Sequence, residues 1–145
     1  MDDAPRSWTT TGLADALRGP DFAEELSVER IEQAEPVLKV TMHQSGDLAI
    51  FVSVAGEQIA VSTLLWPVDE QAQPDAFNRF LLKTQKLVPL SNFGIGSVEG
   101  RDYYELFGEL ATSSRLDTVL IELRTLAENA IDAATDLRNA QIPAA

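Results

Sequence analysis

The chain has 145 residues, a length typical of one domain and sufficient for a hydrophobic core without disulfide bonds. It contains 23 acidic and 11 basic residues, and its formal net charge of −12 disfavours nucleic acid and anionic lipid as partners because a negative surface repels phosphate groups. It has no cysteine, which excludes disulfides, thiolate metal sites and cysteine nucleophiles. We therefore expect a single domain over residues 1–145.

The two ends of the chain bear on its compartment. Residues 1–20 contain no apolar run of the kind found in signal peptides, and no stretch approaches the roughly 20 apolar residues of a membrane-spanning helix. These features predict a cytoplasmic protein that does not insert into a membrane. The terminal segments 1–8 and 139–145 are predicted to be flexible, as chain ends commonly are.

A short helix is predicted near the N-terminus. Thr9 is a candidate N-cap residue, and Trp8 and Leu13 are placed to form a hydrophobic staple around it. Apolar residues then recur at helical spacing until Gly19 and Pro20, which together form a stop signal.

A run of strands follows this helix. Residues 21–36 are acidic and weakly patterned, and their β-branched residues favour a strand at 26–32 over a helix. Three further segments have strand patterning and are separated by turns at Ser45–Asp47 and Ala55–Gly56: Val37–His43, Leu48–Val54 and Gln58–Trp66.

The second half of the chain predicts helix, hairpin and helix. Pro74 opens an amphipathic helix that continues to Val88, where Pro89 stops it. Segments 95–98 and 103–110 predict a hairpin around Glu99–Gly100. Ser114 and Asp117 resemble a capping box before a long helix at 115–138. The fold class is therefore α+β, with an antiparallel sheet of about five to six strands covered by helices in the order α-β(β)ββ-α-ββ-α.

Candidate catalytic and metal-binding residues are few. His43, the single histidine, is predicted to lie on the polar face of a strand and to be solvated. An alternative hypothesis assigns metal binding to carboxylates. Three of them recur at helical spacing in the last helix, Glu128, Asp132 and Asp136, and two lie in the second hairpin, Glu105 and Glu109. The glycines of 94–100 do not have the spacing of a dinucleotide fingerprint. No cofactor is predicted.

The helices carry more apolar and basic surface than one sheet face needs. In the helix after Pro74, three basic residues follow one face: Arg79, Lys83 and Lys86. The last helix is apolar around more than half of its circumference, which favours an interface over a solvated surface because a wet Leu or Ile forgoes about 1.5–3 kcal/mol. The apolar residues expected to pack or to contact a partner are Phe77, Phe80, Leu81, Leu123, Leu126 and Ile131.

Several segments resemble a known family. The runs 64–67, 82–95, 102–110 and 114–117 resemble the bacterial YjfI-like family, whose function is unknown. The segment order is also similar to the type III secretion chaperone-like fold, whose members are small, acidic, usually dimeric proteins that bind extended segments of other proteins. The resemblance implies a protein partner, in particular a PspA-like membrane-stress protein, and a homodimer.

Three hypotheses about function follow. The first is a non-enzymatic adaptor or chaperone-like protein that binds a protein partner. The second is a carboxylate-dependent metal-binding protein or enzyme. The third is a structural subunit without a separate ligand, whose acidity serves solubility.

Overall fold

The structure is a computed structural model that describes residues 7–139. Its three helices and six strands lie in the order that the sequence predicts, with the optional strand present. The helices are α1 (Thr10–Leu17), α2 (Pro74–Thr84) and α3 (Leu116–Asp132), and α3 continues into a π-helical turn at Ala133–Leu137. The strands are β1 (Leu26–Ile31), β2 (Val37–Met42), β3 (Leu48–Ala55), β4 (Gln58–Pro67), β5 (Asn92–Val98) and β6 (Arg101–Ala111).

The six strands form one antiparallel sheet with the order β1-β2-β3-β4-β6-β5. Neighbours in the chain pair with each other, except that β4 pairs with β6 instead of β5. The predicted α+β sheet of five to six strands is therefore confirmed, and it has β1 at one edge and β5 at the other. The strand at 26–32 is likewise present, as β1.

Alternation along the strands decides which sheet face is buried. In β2, Leu38, Val40 and Met42 are buried, as the apolar–polar pattern predicts. Register carries the same face across the sheet, because Leu38 lies opposite Val52. All three helices of the described chain pack on this face: α1 over β1 and β2, α3 over β3, β4 and β6, and α2 near Tyr104 of β6. The hydrophobic core lies between the sheet and these helices.

The helix starts differ in how they are capped. Thr9 caps α1 as predicted, since its side-chain oxygen accepts from Gly12 N–H at 3.0 Å. Ser114 does not cap α3: it occupies a turn, its carbonyl accepts from the indole N–H of Trp8, and Arg115 is the N-cap residue without a side-chain hydrogen bond. The predicted capping box is therefore wrong. Trp8 is fixed by this bond, whereas the rest of the predicted flexible ends, 1–6 and 140–145, lies outside the described residues.

Two other boundaries differ from the sequence prediction. Helix α2 ends at Thr84 and a 3₁₀ turn occupies 85–87; Val88, the residue before Pro89, is extended, as the clash with the proline ring requires. The β3–β4 turn is Gly56–Glu57 and not Ala55–Gly56, since Gly56 supplies the positive φ of 60° that the turn requires.

His43 also lies differently from its predicted place. It begins a 3₁₀ turn after β2, and its Nδ1 lies 2.8 Å from the carboxylate of Asp47. It is exposed and sits outside the strand in which it was expected.

Candidate protein-binding site

Helix α2 is held on the sheet by an aromatic cluster. The ring of Phe77 lies 5.2 Å from that of Tyr104 and 6.2 Å from that of Trp66, and all three side chains are buried. The Trp66 indole N–H donates to Gln71 Oε1 at 2.8 Å, so the polar atom of this ring is satisfied inside the core. Edge-to-face and tilted aromatic pairs of this kind add about 0.5–1.5 kcal/mol beyond their buried area. The cluster fixes the position of α2 relative to β4 and β6.

A hydrogen bond sets the rotation of α2. The Tyr104 hydroxyl donates to Asn78 Oδ1 at 2.6 Å. Burial, with the nearby charge of Asp75, raises the pKa of Tyr104, so the phenol stays protonated and available as a donor. With Asn78 held toward the sheet, the next turn of α2 presents Leu81 inward and Leu82 outward.

An apolar groove lies where α2 meets the edge strand β5. Its volume is about 210 Å³. Seven residues line it: Asn78, Leu81, Leu82, Phe93, Gly94, Ile95 and Tyr104. The two that carry polar side-chain groups, Asn78 and Tyr104, are hydrogen-bonded to each other. Two of the lining side chains are open to solvent, Leu82 at 66% and Ile95 at 50% exposure. The groove therefore presents apolar surface to whatever lies outside it.

The groove belongs to a longer apolar segment, residues 82–98, that we call the α2–β5 surface. Seven large hydrophobic side chains are exposed in the described chain, and five of them fall within this segment: Leu82, Leu87, Leu90, Ile95 and Val98. The other two, Ile121 and Ile131, are on α3. Single exposed apolar residues are ordinary, whereas contiguous ones mark interaction sites. Leu82 and Ile95 are contiguous because both line the groove, and Val98, three residues after Ile95 along β5, points to the opposite sheet face.

The segment between α2 and β5 is held by hydrogen bonds from α3. The Asn129 side chain on α3 donates to Pro89 O and to Ser91 Oγ, both at 2.9 Å. Leu90, between these two anchor points, has a φ of 62°, which is unusual for a residue with a side chain. This conformation directs Leu90 outward while its neighbours are held down.

Positive charge without a partner lies along the same helix. Six of the arginines in the described chain form ion pairs with carboxylates, at 2.7 to 4.0 Å. Four described basic residues form none, and three of these belong to α2 and the turn after it: Arg79, Lys83 and Lys86, with Lys39 on β2 as the fourth. Arg79 lies on α2 three positions before Leu82, Lys83 follows Leu82 directly, and Lys86 lies in the 3₁₀ turn after the helix. Three of the four described basic residues without an ion pair thus lie in or directly after the helix that borders the groove.

The structure separates the predicted contact residues into two groups. Arg79, Lys83, Lys86 and Ile131 are exposed, and Phe80 is half-buried. Phe77, Leu81, Leu123 and Leu126 are at most 4% exposed and serve the chain's own core. The prediction that these four offer a contact surface is therefore corrected: the broad apolar stripe of α3 is absorbed because the helix lies across three strands. Leu81 alone of them also lines the groove.

The carboxylates of the metal hypothesis do not converge. Within residues 7–139 no three histidine, aspartate or glutamate side chains are close enough to share a metal ion. Glu128, Asp132 and Asp136 are exposed along α3 and its terminal turn, and Glu105 and Glu109 lie on β6 on the sheet face opposite the helices.

The five exposed hydrophobic residues of the α2–β5 surface were not singled out from the sequence. They are Leu82, Leu87, Leu90, Ile95 and Val98. A signal was present, because the apolar run from 87 to 95 is interrupted by Pro89 and borders a glycine-flanked strand. Strand pairing was needed to show that β5 lies at the sheet edge.

The fold and the groove define a class: a small single-sheet α+β protein with an apolar, cation-flanked surface at one sheet edge. The chain belongs to the family described as uncharacterized proteins conserved in bacteria (DUF2170), whose model matches residues 7–140. It is 37% identical over 128 residues to the uncharacterized protein YjfI of Escherichia coli K12, covering 88% of this chain and 93% of that protein, and the O157:H7 protein matches equally. The resemblance to the YjfI-like family is thus confirmed.

Two solved structures are similar. The crystal structure of an uncharacterized protein from Methanothermobacter thermautotrophicus aligns with a TM-score of 0.56 at 10% identity, over 82% of this chain and 93% of that one, which supports the fold. The ExsC–ExsE complex aligns with a TM-score of 0.45 at 13% identity, over 91% and 92%. That second TM-score is too low to support an inference about function. No helix among residues 7–139 is both long enough and apolar enough to cross a bilayer.

Proposed function

We propose that this protein is a non-enzymatic adaptor, or chaperone-like protein, that binds a protein partner through the α2–β5 surface. The observation that carries the proposal is the placement of five of seven exposed large hydrophobic side chains within residues 82–98. Leaving such side chains in water forgoes about 1.5–3 kcal/mol for each one that a partner would bury.

The rigidity of the surface supports binding. α2 is fixed by the aromatic cluster and by the Tyr104–Asn78 hydrogen bond, and the Pro89–Ser91 segment is fixed by Asn129. A surface already held in its binding conformation costs less ordering entropy when a partner docks. The apolar groove offers anchoring space, and the cations around it offer a polar rim.

The family resemblance suggests where to look for the partner. We propose a PspA-like membrane-stress protein as the first candidate, in the bacterial cytoplasm. We also propose a homodimer, with Ile131 on α3 as an exposed apolar side chain that a second copy would cover.

Affinity capture from the native cell with one substituted bait tests the proposal. Leu82→Glu places a charge on the groove at a side chain that is 66% exposed, so the fold is expected to persist. Ile121→Glu makes the same chemical change at a comparably exposed position on α3 and is the matched control. Wild type and Ile121→Glu should recover the same partner, and Leu82→Glu should lose it; circular dichroism checks folding.

The binding site, the partner and the homodimer are tested by separate measurements. A partner recovered equally by all three baits would overturn the α2–β5 surface as the binding site. Direct binding of the purified PspA-like protein, measured by calorimetry, tests the partner identity separately. Light scattering of the wild type and of Ile131→Glu tests the homodimer, and a monomeric wild type would remove that part.

A further inference from the structure

The two edges of the sheet differ in how they are protected. At the β1 edge, the Arg18 side chain donates to Val28 O, and the strand carries the charged residues Glu29 and Arg30. Such features are the usual means by which proteins prevent strand addition at an edge. β5 has the sequence Asn-Phe-Gly-Ile-Gly-Ser-Val, without a charge or a proline. The β5 edge thus lacks the charged strand residues of the β1 edge, and the side chain that covers it, Gln85, bonds to Phe93 at the start of the strand.

The hydrogen bonds of β5 show which of its backbone groups point outward. Phe93 N–H donates to the side chain of Gln85, on the side away from β6, at 3.3 Å. Because backbone groups alternate in direction along an antiparallel strand, Ile95 and Ser97 also direct their N–H and C=O groups away from β6. The Gln85 Oε1 atom marks the position where a backbone carbonyl of an added strand would accept a hydrogen bond.

The side chains beside this edge point into the groove. Ile95 pairs with Tyr104 in register and lies on the sheet face that carries α2. A residue of an added strand placed opposite Ile95 would therefore direct its side chain to the same face, next to Leu82. Alternate residues of that strand would contact the groove.

On the sheet face that carries α2, the nearby charge is positive and favours one chemistry for the added strand; on the other face the Glu105 carboxylate lies against Gly94 and Gly96. Arg79, Lys83 and Lys86 have no ion-pair partner in the described chain and flank Leu82. They favour a segment that carries carboxylates near its apolar anchors. A second copy paired two-fold through β5 would place the same cations of both α2 helices on one face of the joined sheet, where they would repel each other.

We infer that the β5 edge accepts an extended acidic and apolar segment of a partner protein as a seventh antiparallel or parallel strand. The inference deepens the proposed function, on which it rests, by naming the mode of binding and the kind of segment. The backbone of the segment pairs with Ile95 and Ser97, its apolar side chains enter the groove, and its carboxylates reach the α2 cations. This is β-augmentation, in which main-chain hydrogen bonds give affinity and alternate side chains give specificity.

The test uses a random peptide library displayed on phage, with peptides at least as long as the 7 residues of β5, selected on the immobilised full chain. The selected peptides should have apolar residues at alternating positions and an excess of Asp and Glu. A synthetic copy of one such peptide should protect the Ile95 and Ser97 amides from hydrogen exchange. Two versions of the peptide are then made, one N-methylated at its odd positions and one at its even positions. The version whose methyl groups face β5 should not bind, and the other should bind as the unmodified peptide does.

The charge requirement has its own variants. Replacing Arg79, Lys83 and Lys86 together by serine removes three exposed cations and should weaken peptide binding about tenfold at low salt, with a smaller loss at high salt. The matched control is Lys39→Ser, which removes an unpaired cation from β2 and should change the affinity little. Circular dichroism confirms that the variants fold.

The outcomes distinguish this inference from the proposed function. Peptides that bind the α2–β5 surface without protecting Ile95 and Ser97, or that lack acidic residues, would overturn strand addition and leave protein binding intact. Protection of these amides that rises with protein concentration in the absence of peptide would identify a second copy as the occupant and also overturn it. Loss of partner capture by Leu82→Glu together with selected peptides of the expected pattern supports both.

Discussion

Glu122 is the most informative position for a stability measurement, because it places an acid in the core. It lies on the buried face of α3, is 5% exposed, and its Oε1 atom has no hydrogen-bond partner. The carboxyl group fits only because residue 108 is glycine, since a Cβ there would overlap Oε1; the Leu90 carbonyl lies beside the same point. We predict that Glu122→Gln stabilises the protein at neutral pH.

The sign follows from the pKa. Burial, and then the charge of Glu109, raise the pKa of Glu122 above that of an ordinary glutamate. At pH values between the pKa of Glu122 in the unfolded chain and its higher pKa in the folded chain, the folded state holds a proton that the unfolded state has lost. The free energy of unfolding therefore falls as pH rises through this range. Above that window the penalty is constant, and below it the penalty vanishes.

The magnitude follows from the buried unpaired atom. One unit of pKa shift corresponds to about 1.4 kcal/mol, and an unsatisfied buried polar group costs about 1–3 kcal/mol. A glutamine keeps the shape, carries no charge and can donate from its amide to Leu90 O. We expect a gain of about 1–2 kcal/mol at pH 7, or roughly 3–8 °C in Tm for a chain of this length.

Denaturant and thermal unfolding across a pH series measure the effect. The gain should be small near pH 4 and should grow to a plateau at higher pH. Glu128→Gln, on the same helix but exposed, makes the same charge change and should show no such growth. A Glu122→Gln protein that is no more stable than the wild type at pH 7, or whose difference is independent of pH, would refute the account of a buried charged carboxyl.

Two further substitutions test the core that supports the site. Tyr104→Phe removes the hydroxyl that donates to Asn78, and we expect the free energy of unfolding to fall by about 1 kcal/mol. Partner binding should also weaken, because α2 is held less firmly on the sheet. Unchanged stability would show that this hydrogen bond makes no net contribution. Leu126→Ala deletes a fully buried side chain, for which urea unfolding should report a loss of about 2–5 kcal/mol. A loss below about 0.5 kcal/mol would contradict the placement of Leu126 in the core.

Much of the local structure was predictable because it depends on neighbours in the chain. The alternation of Leu38, Val40 and Met42 gives β2 and its buried face, and Glu99–Gly100 gives the β5–β6 turn, where both residues adopt positive φ. Thr9 as N-cap is likewise a local effect. Element boundaries were less predictable where a residue distant in the chain forms a hydrogen bond at the boundary. At Ser114, the backbone carbonyl accepts from the indole N–H of Trp8.

The candidate site was predictable only in part. The basic stripe of α2 is visible in the spacing of Arg79, Lys83 and Lys86. The role of α3 was not, because the width of an apolar stripe does not reveal how many strands the helix will cover. Leu123 and Leu126 point to an interface when α3 is considered alone, and they are interior residues once β3, β4 and β6 lie beneath it.

The amino-acid sequence alone determined the strands, the helices, the one-sided burial and the acidity, because periodicity and composition act within a few residues. Tertiary structure decided that β6 inserts between β4 and β5. That insertion leaves an uncharged strand at the sheet edge and brings Ile95 beside Leu82. Pairing between distant strands depends on the packing of the whole core, and so the binding surface exists only in the folded chain.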